Sequence, residues 1–216
     1  LKLALVKAGV PLVLVDNNRE YEGDLFCAAE VSNPEILQFM VRKGSGLLCI
    51  SLPRPRLERM GIPRMSDLVP NLKTEDTPFH LPVDLKGQGS GISILDRYET
   101  IQKFLLPETT IDDFRVPGHL FTLGAHPSGL NGRKGHTEAS VELCQLAGLA
   151  PVGLLCETIG DDGDMLRGDE LLEFARANSI DVVSIEEIEQ LKREVERNEI
   201  PKRSPSIGLS PKSKKA

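Results

Sequence analysis

The chain has 216 residues and a formal net charge of −6, enough length for a substantial core in one domain and the wrong sign for a nucleic-acid partner. Ordinary apolar content excludes disorder over most of the length, and no apolar run approaches a membrane span, so no membrane partner is expected. Four cysteines, Cys27, Cys49, Cys144 and Cys156, lie far apart without a C-x-x-C pair, so reduced buried thiols are expected rather than zinc or disulfides. No secretory signal is visible, and a cytoplasmic protein is the expectation.

In chain order, Pro11–Val15 reads as a buried strand. Ser32 or Asn33 caps a helix that has Pro34 at its first position, Ile36, Leu37, Met40 and Val41 on its apolar face, and Gly44 at its end. Leu47–Leu52 is a second buried strand, and Pro53–Pro82 is proline-rich and reads as loop with short strands. Asp96–Leu106 reads as a helix, Phe121–Leu123 as a strand, and Thr137–Ala147 as a helix closed by Gly148. Val152–Cys156 is a strand. Asp169–Asn178, Val182–Ile185 and Glu186–Arg197 read as helix, strand and helix, the last with a Ser184/Glu187 capping box. This irregular alternation predicts an α/β (α+β) fold, a three-layer sandwich with a mixed twisted sheet flanked by helices. Residues 1–198 read as one domain, and 199–216, rich in Ser, Pro and Lys, as a disordered basic tail.

Two distant segments read as halves of one polar site. Asp16–Asp24 places four carboxylates and Arg19 directly after an apolar strand, with Gly23 expected to turn the backbone sharply. A solvated acidic turn is the plain alternative. Asn131–Glu138 holds Arg133, Lys134 and His136 in a glycine-rich turn before a helix. Gly132 and Gly135 permit close approach of a ligand, and Thr137 is a good N-cap whose helix amides attract anions. Carboxylates with histidine suit a hard divalent metal, and cations at a helix start suit a phosphate. Together they point to an enzyme acting on a small phosphorylated polyol.

Three further features are weighed. His119 sits in what reads as a turn, Val116–His119. Glu157 ends an apolar strand, where desolvation raises a carboxyl pKa toward a proton-transfer role. Gly160–Asp164 lacks the ligand spacing of a calcium loop and reads as an acidic turn.

Six blocks, R-E-Y-E-G-D-L (19–25), G-I-S-I-L-D-R (91–97), P-G-H-L-F (117–121), R-K-G-H-T-E-A (133–139), L-A-G-L (146–149) and L-C-E (155–157), occur in the order found in one enzyme family. In these, from Pro11 to Ile188, the chain resembles 3,4-dihydroxy-2-butanone 4-phosphate synthase of riboflavin biosynthesis. The resemblance implies a mixed-sheet α/β sandwich and a homodimer with sites at the subunit interface. It implies a lyase that converts D-ribulose 5-phosphate to L-3,4-dihydroxy-2-butanone 4-phosphate and formate, with two divalent ions per site, magnesium or manganese. Carried over by motif, Glu20 and His136 are the metal ligands. His119, Glu157 and Asp24 serve catalysis. Arg19, Glu20, Asp24, Arg133, Lys134, Gly135, His136, Thr137 and Glu157 hold the substrate.

The chain departs from the family pattern at Tyr21, where Asn is usual, and at Gly89 and Ser90, where two threonines are usual. It departs again at Asn71-Leu72 and at Phe79–Asp84, where Pro82 costs a ladder hydrogen bond if that strand is central. These departures keep two alternatives in view, a non-catalytic sugar-phosphate-binding paralogue and another metal-dependent ketose-phosphate isomerase or aldolase. No fused second enzyme domain is expected.

Overall fold

The computed structural model describes residues 1–18, 21–69 and 77–197. Arg19, Glu20, the Asn71-Leu72 departure and the expected 199–216 tail lie outside the described residues. The strands are β1 (Leu12–Val15), β2 (Gly23–Ala28), β3 (Cys49–Pro53), β4 (Phe79–Leu85), β5 (Phe114–Ala125), β6 (Gly153–Glu157) and β7 (Asp181–Ser184). They form one sheet in the order β4-β5-β3-β6-β2-β1-β7. β3–β5 and β1–β7 pair parallel and the other pairs antiparallel, so the sheet is mixed, as expected.

Both faces of the sheet are covered. Side chains alternate across a strand, so Val13, Leu25, Cys27, Ile50, Leu52, Leu154 and Cys156 point to one side and Leu12, Leu14, Phe26, Cys49 and Leu155 to the other. The first set packs under helices α2 (Pro34–Gly44), α3 (Arg54–Met60), α4 (Ile94–Phe104) and α6 (Gly168–Ala177). The second packs under α1 (Lys2–Lys7), α5 (His136–Leu146) and α7 (Ile185–Glu196). Each fully buried large apolar side chain contributes about 1.5–3 kcal/mol. The four cysteines are free and buried, as expected. Among the described residues no helix is long and apolar enough to cross a membrane.

Local signals placed several ends well. Asn33 accepts the Ile36 N–H at 2.9 Å, Pro34 opens α2, and the left-handed residue that closes it is Ser45. Ser184 and Glu187 form the expected reciprocal capping box on α7. The proline-rich segment, read as loop with short strands, does hold a strand but departs from that reading in its helical parts. It contains α3 and the strand β4, with a 3₁₀ turn at Met65–Leu68. Pro55 falls in the first turn of α3, where a missing N–H costs little. Pro82 is also accommodated, because β4 is the sheet edge and its register with β5 shifts between His80 and Val83.

Two strands exceed their sequence signal. β5 runs twelve residues, so His119 lies within a strand and not in a turn. β2 carries Asp24 in its first turn of pairing and is buried at every residue, leaving no period-2 alternation to read. Gly23 begins that strand under Leu171, and the backbone reversal falls instead on Tyr21, at φ 57°.

Candidate active site

The site is built where β2 begins and β6 ends, beneath the start of α5. Asp24 and Glu157 are register partners across β2 and β6, so two carboxyls face each other on the α5 side of the sheet. His136, the first residue of α5, brings its Nδ1 to 3.3 Å from Asp24 Oδ2, with both side chains about nine-tenths buried. These groups, with Glu22, Cys49, Phe79, Arg133 and Thr137, line a cavity of about 200 Å³. The two halves read from the sequence are thus brought together, with Asp24, Arg133, His136, Thr137 and Glu157 around one space.

The electrostatics of the site act on Glu157. Burial raises the Glu157 pKa above its ordinary 4.5, and the facing Asp24 carboxylate raises it further. The Leu47 N–H, which donates to Glu157 Oε2 at 2.7 Å, and His136 act in the opposite direction without reversing the shift. Glu157 is therefore a carboxyl that holds a proton more readily than a solvated one. Such a group suits proton transfer near neutrality.

The anion side departs from expectation in three details. The N-cap of α5 is Gly135, and Thr137 is its buried second residue. Gly132 and Gly135 make room for this chain's own side chains: a Cβ would meet the His126 ring at 1.8 Å or the Arg133 guanidinium at 2.1 Å. Lys134 is not in the cavity wall and pairs with Glu189 of α7 at 2.7 Å. His136 and Thr137, the first two residues of α5, still line the cavity, and a helix start suits an anion.

His119 is not brought into this cavity. Its Nδ1 lies 2.8 Å from Asp84 Oδ2, and its backbone N–H donates to Asp84 Oδ1 at 2.8 Å. Asp84 is buried, with Arg115 at 3.6 Å, while the His119 side chain is 45% exposed. Asp84 thus fixes which ring nitrogen faces inward and leaves Nε2 outward. Gly118 lets β5 cross β4 closely, since a Cβ there would stand 2.1 Å from the Val83 carbonyl carbon. Gly118→Ala is expected to lower stability by about 3 kcal/mol, read as a fall in the urea midpoint, because backbone cannot yield as a side chain tip can.

A model of the family described as 3,4-dihydroxy-2-butanone 4-phosphate synthase matches residues 2–191. The chain belongs to this family. It is 43% identical over 190 residues to the bifunctional riboflavin biosynthesis protein RIBA 1 of Arabidopsis thaliana, covering 87% of this chain and 35% of that protein. It is 40% identical over 178 residues to the 3,4-dihydroxy-2-butanone 4-phosphate synthase of Hamiltonella defensa, covering 82% of this chain and 81% of the relative. It superimposes with a TM-score of 0.80 and 36% identity on a 3,4-dihydroxy-2-butanone 4-phosphate synthase solved in complex with two magnesium ions, covering 91% of this chain and 95% of that one. The chain spans under half the length of several bifunctional or RibBA relatives.

Glu22 lines this cavity, Asp84 holds His119 and Glu138 holds Arg133, three contacts that the sequence does not announce. Each residue lay inside or beside a quoted block, yet nothing in the spacing shows that Asp84 faces His119 or that Glu138 is buried under Arg133. A hard cation fits the donor set, for Glu22, Asp24, Glu157 and His136 border one cavity. Among the described residues no three such groups already stand in metal-binding geometry.

Tyr21 carries a strained backbone at the head of β2, in the left-handed region and 58% exposed. Asn tolerates that region far better than an aromatic residue. Tyr21→Asn is expected to stabilise the chain by about 1 kcal/mol, raising Tm by roughly 2–4 °C in a thermal melt. An unchanged or lower Tm would show that the ring makes contacts worth as much as the strain.

Proposed function

We propose that the chain converts D-ribulose 5-phosphate to L-3,4-dihydroxy-2-butanone 4-phosphate and formate. The observation that carries this is the convergence of Asp24, Glu157 and His136 on one cavity at the start of α5, with Arg133 on the same wall. The phosphate lies against Arg133 and the first amides of α5, which holds the sugar while its skeleton rearranges. Glu157, whose pKa is raised by burial and by the facing carboxylate, exchanges protons with the carbon and oxygen atoms of the substrate. Asp24, 3.3 Å from His136 Nδ1, orients that ring. Glu20 and His136 hold magnesium or manganese, which when bound supplies Lewis-acid stabilisation of negative charge on the ketose oxygens.

The working unit is a homodimer in which His119 serves the cavity of the second protomer. Three things support it. His119 lies outside its own chain's cavity with a half-exposed ring. Asp84 aims its free nitrogen outward. Exposed Ile92, Leu95 and Val116 lie in the segments beside it, an apolar surface suited to burial between copies.

Formate release from ribulose 5-phosphate, followed by a coupled formate assay, tests the reaction. Release of one formate per butanone phosphate supports it. Isomerisation or aldol cleavage without formate, or binding without turnover, would overturn it.

A further inference from the structure

Among the described residues, Arg133 is the Lys or Arg on the cavity wall, and Glu138 holds it. Its Nη1 lies 2.7 Å from Glu138 Oε2, and Glu138 has no exposed side-chain surface. The other oxygen, Oε1, accepts the His126 N–H at 2.9 Å, which ties the chain leaving β5 to the same carboxylate. His126 Nδ1 in turn accepts the Ser128 N–H at 3.1 Å. Gly135, without a Cβ, leaves the space the guanidinium occupies. A guanidinium has two usable edges. Glu138 holds the one at Nη1, and the edge bearing Nε is left, with Nε buried and without a hydrogen-bond partner among the described residues.

We infer that Glu138 is a positioning residue that presents the Nε–Nη2 edge of Arg133 to the substrate phosphate as a preformed two-point donor. A fully buried carboxylate is costly unless it is paired. Here one side chain meets that cost twice, with a guanidinium and a backbone N–H, and the result is a cation held in one orientation. A planar fork fixed this way binds a phosphate through two parallel hydrogen bonds without first losing side-chain freedom. The same carboxylate lowers the net charge at Arg133, so directionality rather than raw charge distinguishes the site. The inference rests on the proposed phosphate site at Arg133 and adds the group that orients it.

The test compares wild type, Glu138→Gln and Arg133→Lys, measuring turnover of ribulose 5-phosphate and competitive inhibition by inorganic phosphate. Glu138→Gln keeps size and one acceptor but loses the charge-assisted hold. It should raise KM and the phosphate inhibition constant together by about tenfold while kcat stays within about threefold. Arg133→Lys should do the same, and the double variant should be no worse than Arg133→Lys alone, since both remove one two-point contact. Unchanged KM and inhibition constant in folded Glu138→Gln would overturn the inference, as would a loss confined to kcat. If that variant does not fold, ¹⁵N NMR of the wild type decides. The Arg133 Nε–H resonance should move on saturation with inorganic phosphate, and an unmoved resonance refutes the assignment. Phosphate binding is read without turnover, so a wild type that releases no formate overturns the proposed reaction and leaves this result readable.

Discussion

Glu157→Gln is expected to lower kcat by about 10³-fold while KM changes little, because a group that moves protons in the transition state contributes there and not to ground-state binding. The amide keeps the acceptor for the Leu47 N–H, so the strand end should hold its shape. The same substitution should stabilise the fold at neutral pH. The folded-state pKa of Glu157 is raised above 4.5 by burial and by Asp24. Above the unfolded value the folded protein therefore binds more protons than the unfolded one at this group, and stability falls as pH rises through the raised pKa. Gln removes that penalty. Thermal melts should show the variant more stable than wild type above the raised pKa, with the difference vanishing below the ordinary carboxyl range. A wild-type rate for substrate C–H exchange in heavy water, read by NMR, would return Glu157 to a structural strand end.

Mixing two inactive variants should restore activity. His119→Asn leaves the Asp24–Glu157 cavity intact, and Glu157→Gln leaves His119 intact. If each cavity takes its histidine from the other protomer, a hybrid dimer has one site with both groups native and one with neither. Random exchange of protomers makes about half the dimers hybrid, so the mixture should recover about a quarter of wild-type activity. Each variant alone should stay near background. Without recovery after denaturation and joint refolding, His119 does not act across an interface. The half-exposed ring, held to Asp84 at 2.8 Å, makes the outcome decisive, since its orientation does not depend on the cavity.

Local chemistry was legible in the sequence wherever the chain answers to its neighbours. Asn33-Pro34 and Ser184/Glu187 declare helix starts through hydrogen bonds spanning three residues. The R-K-G-H-T-E-A block and the C-E pair carry the family, and the model match over residues 2–191 agrees. The polar content of the site, carboxylates on one segment and cations with histidine on another, was legible too, because buried charges of opposite sign need each other. What needed the tertiary structure was every relation across the sheet. β2 is buried on both faces and so has no alternation to read. That Asp24 faces Glu157 follows from the β2–β6 register, a contact between residues more than a hundred positions apart. Pro82 is tolerable only because β4 proves to be the edge. The employment of Lys134 by Glu189, of Arg133 by Glu138 and of His119 by Asp84 is likewise a matter of which helix or strand lies alongside. Residue types determine what chemistry a chain can hold; distance and burial, set by packing, decide which groups spend their charge on each other and which keep it for a ligand.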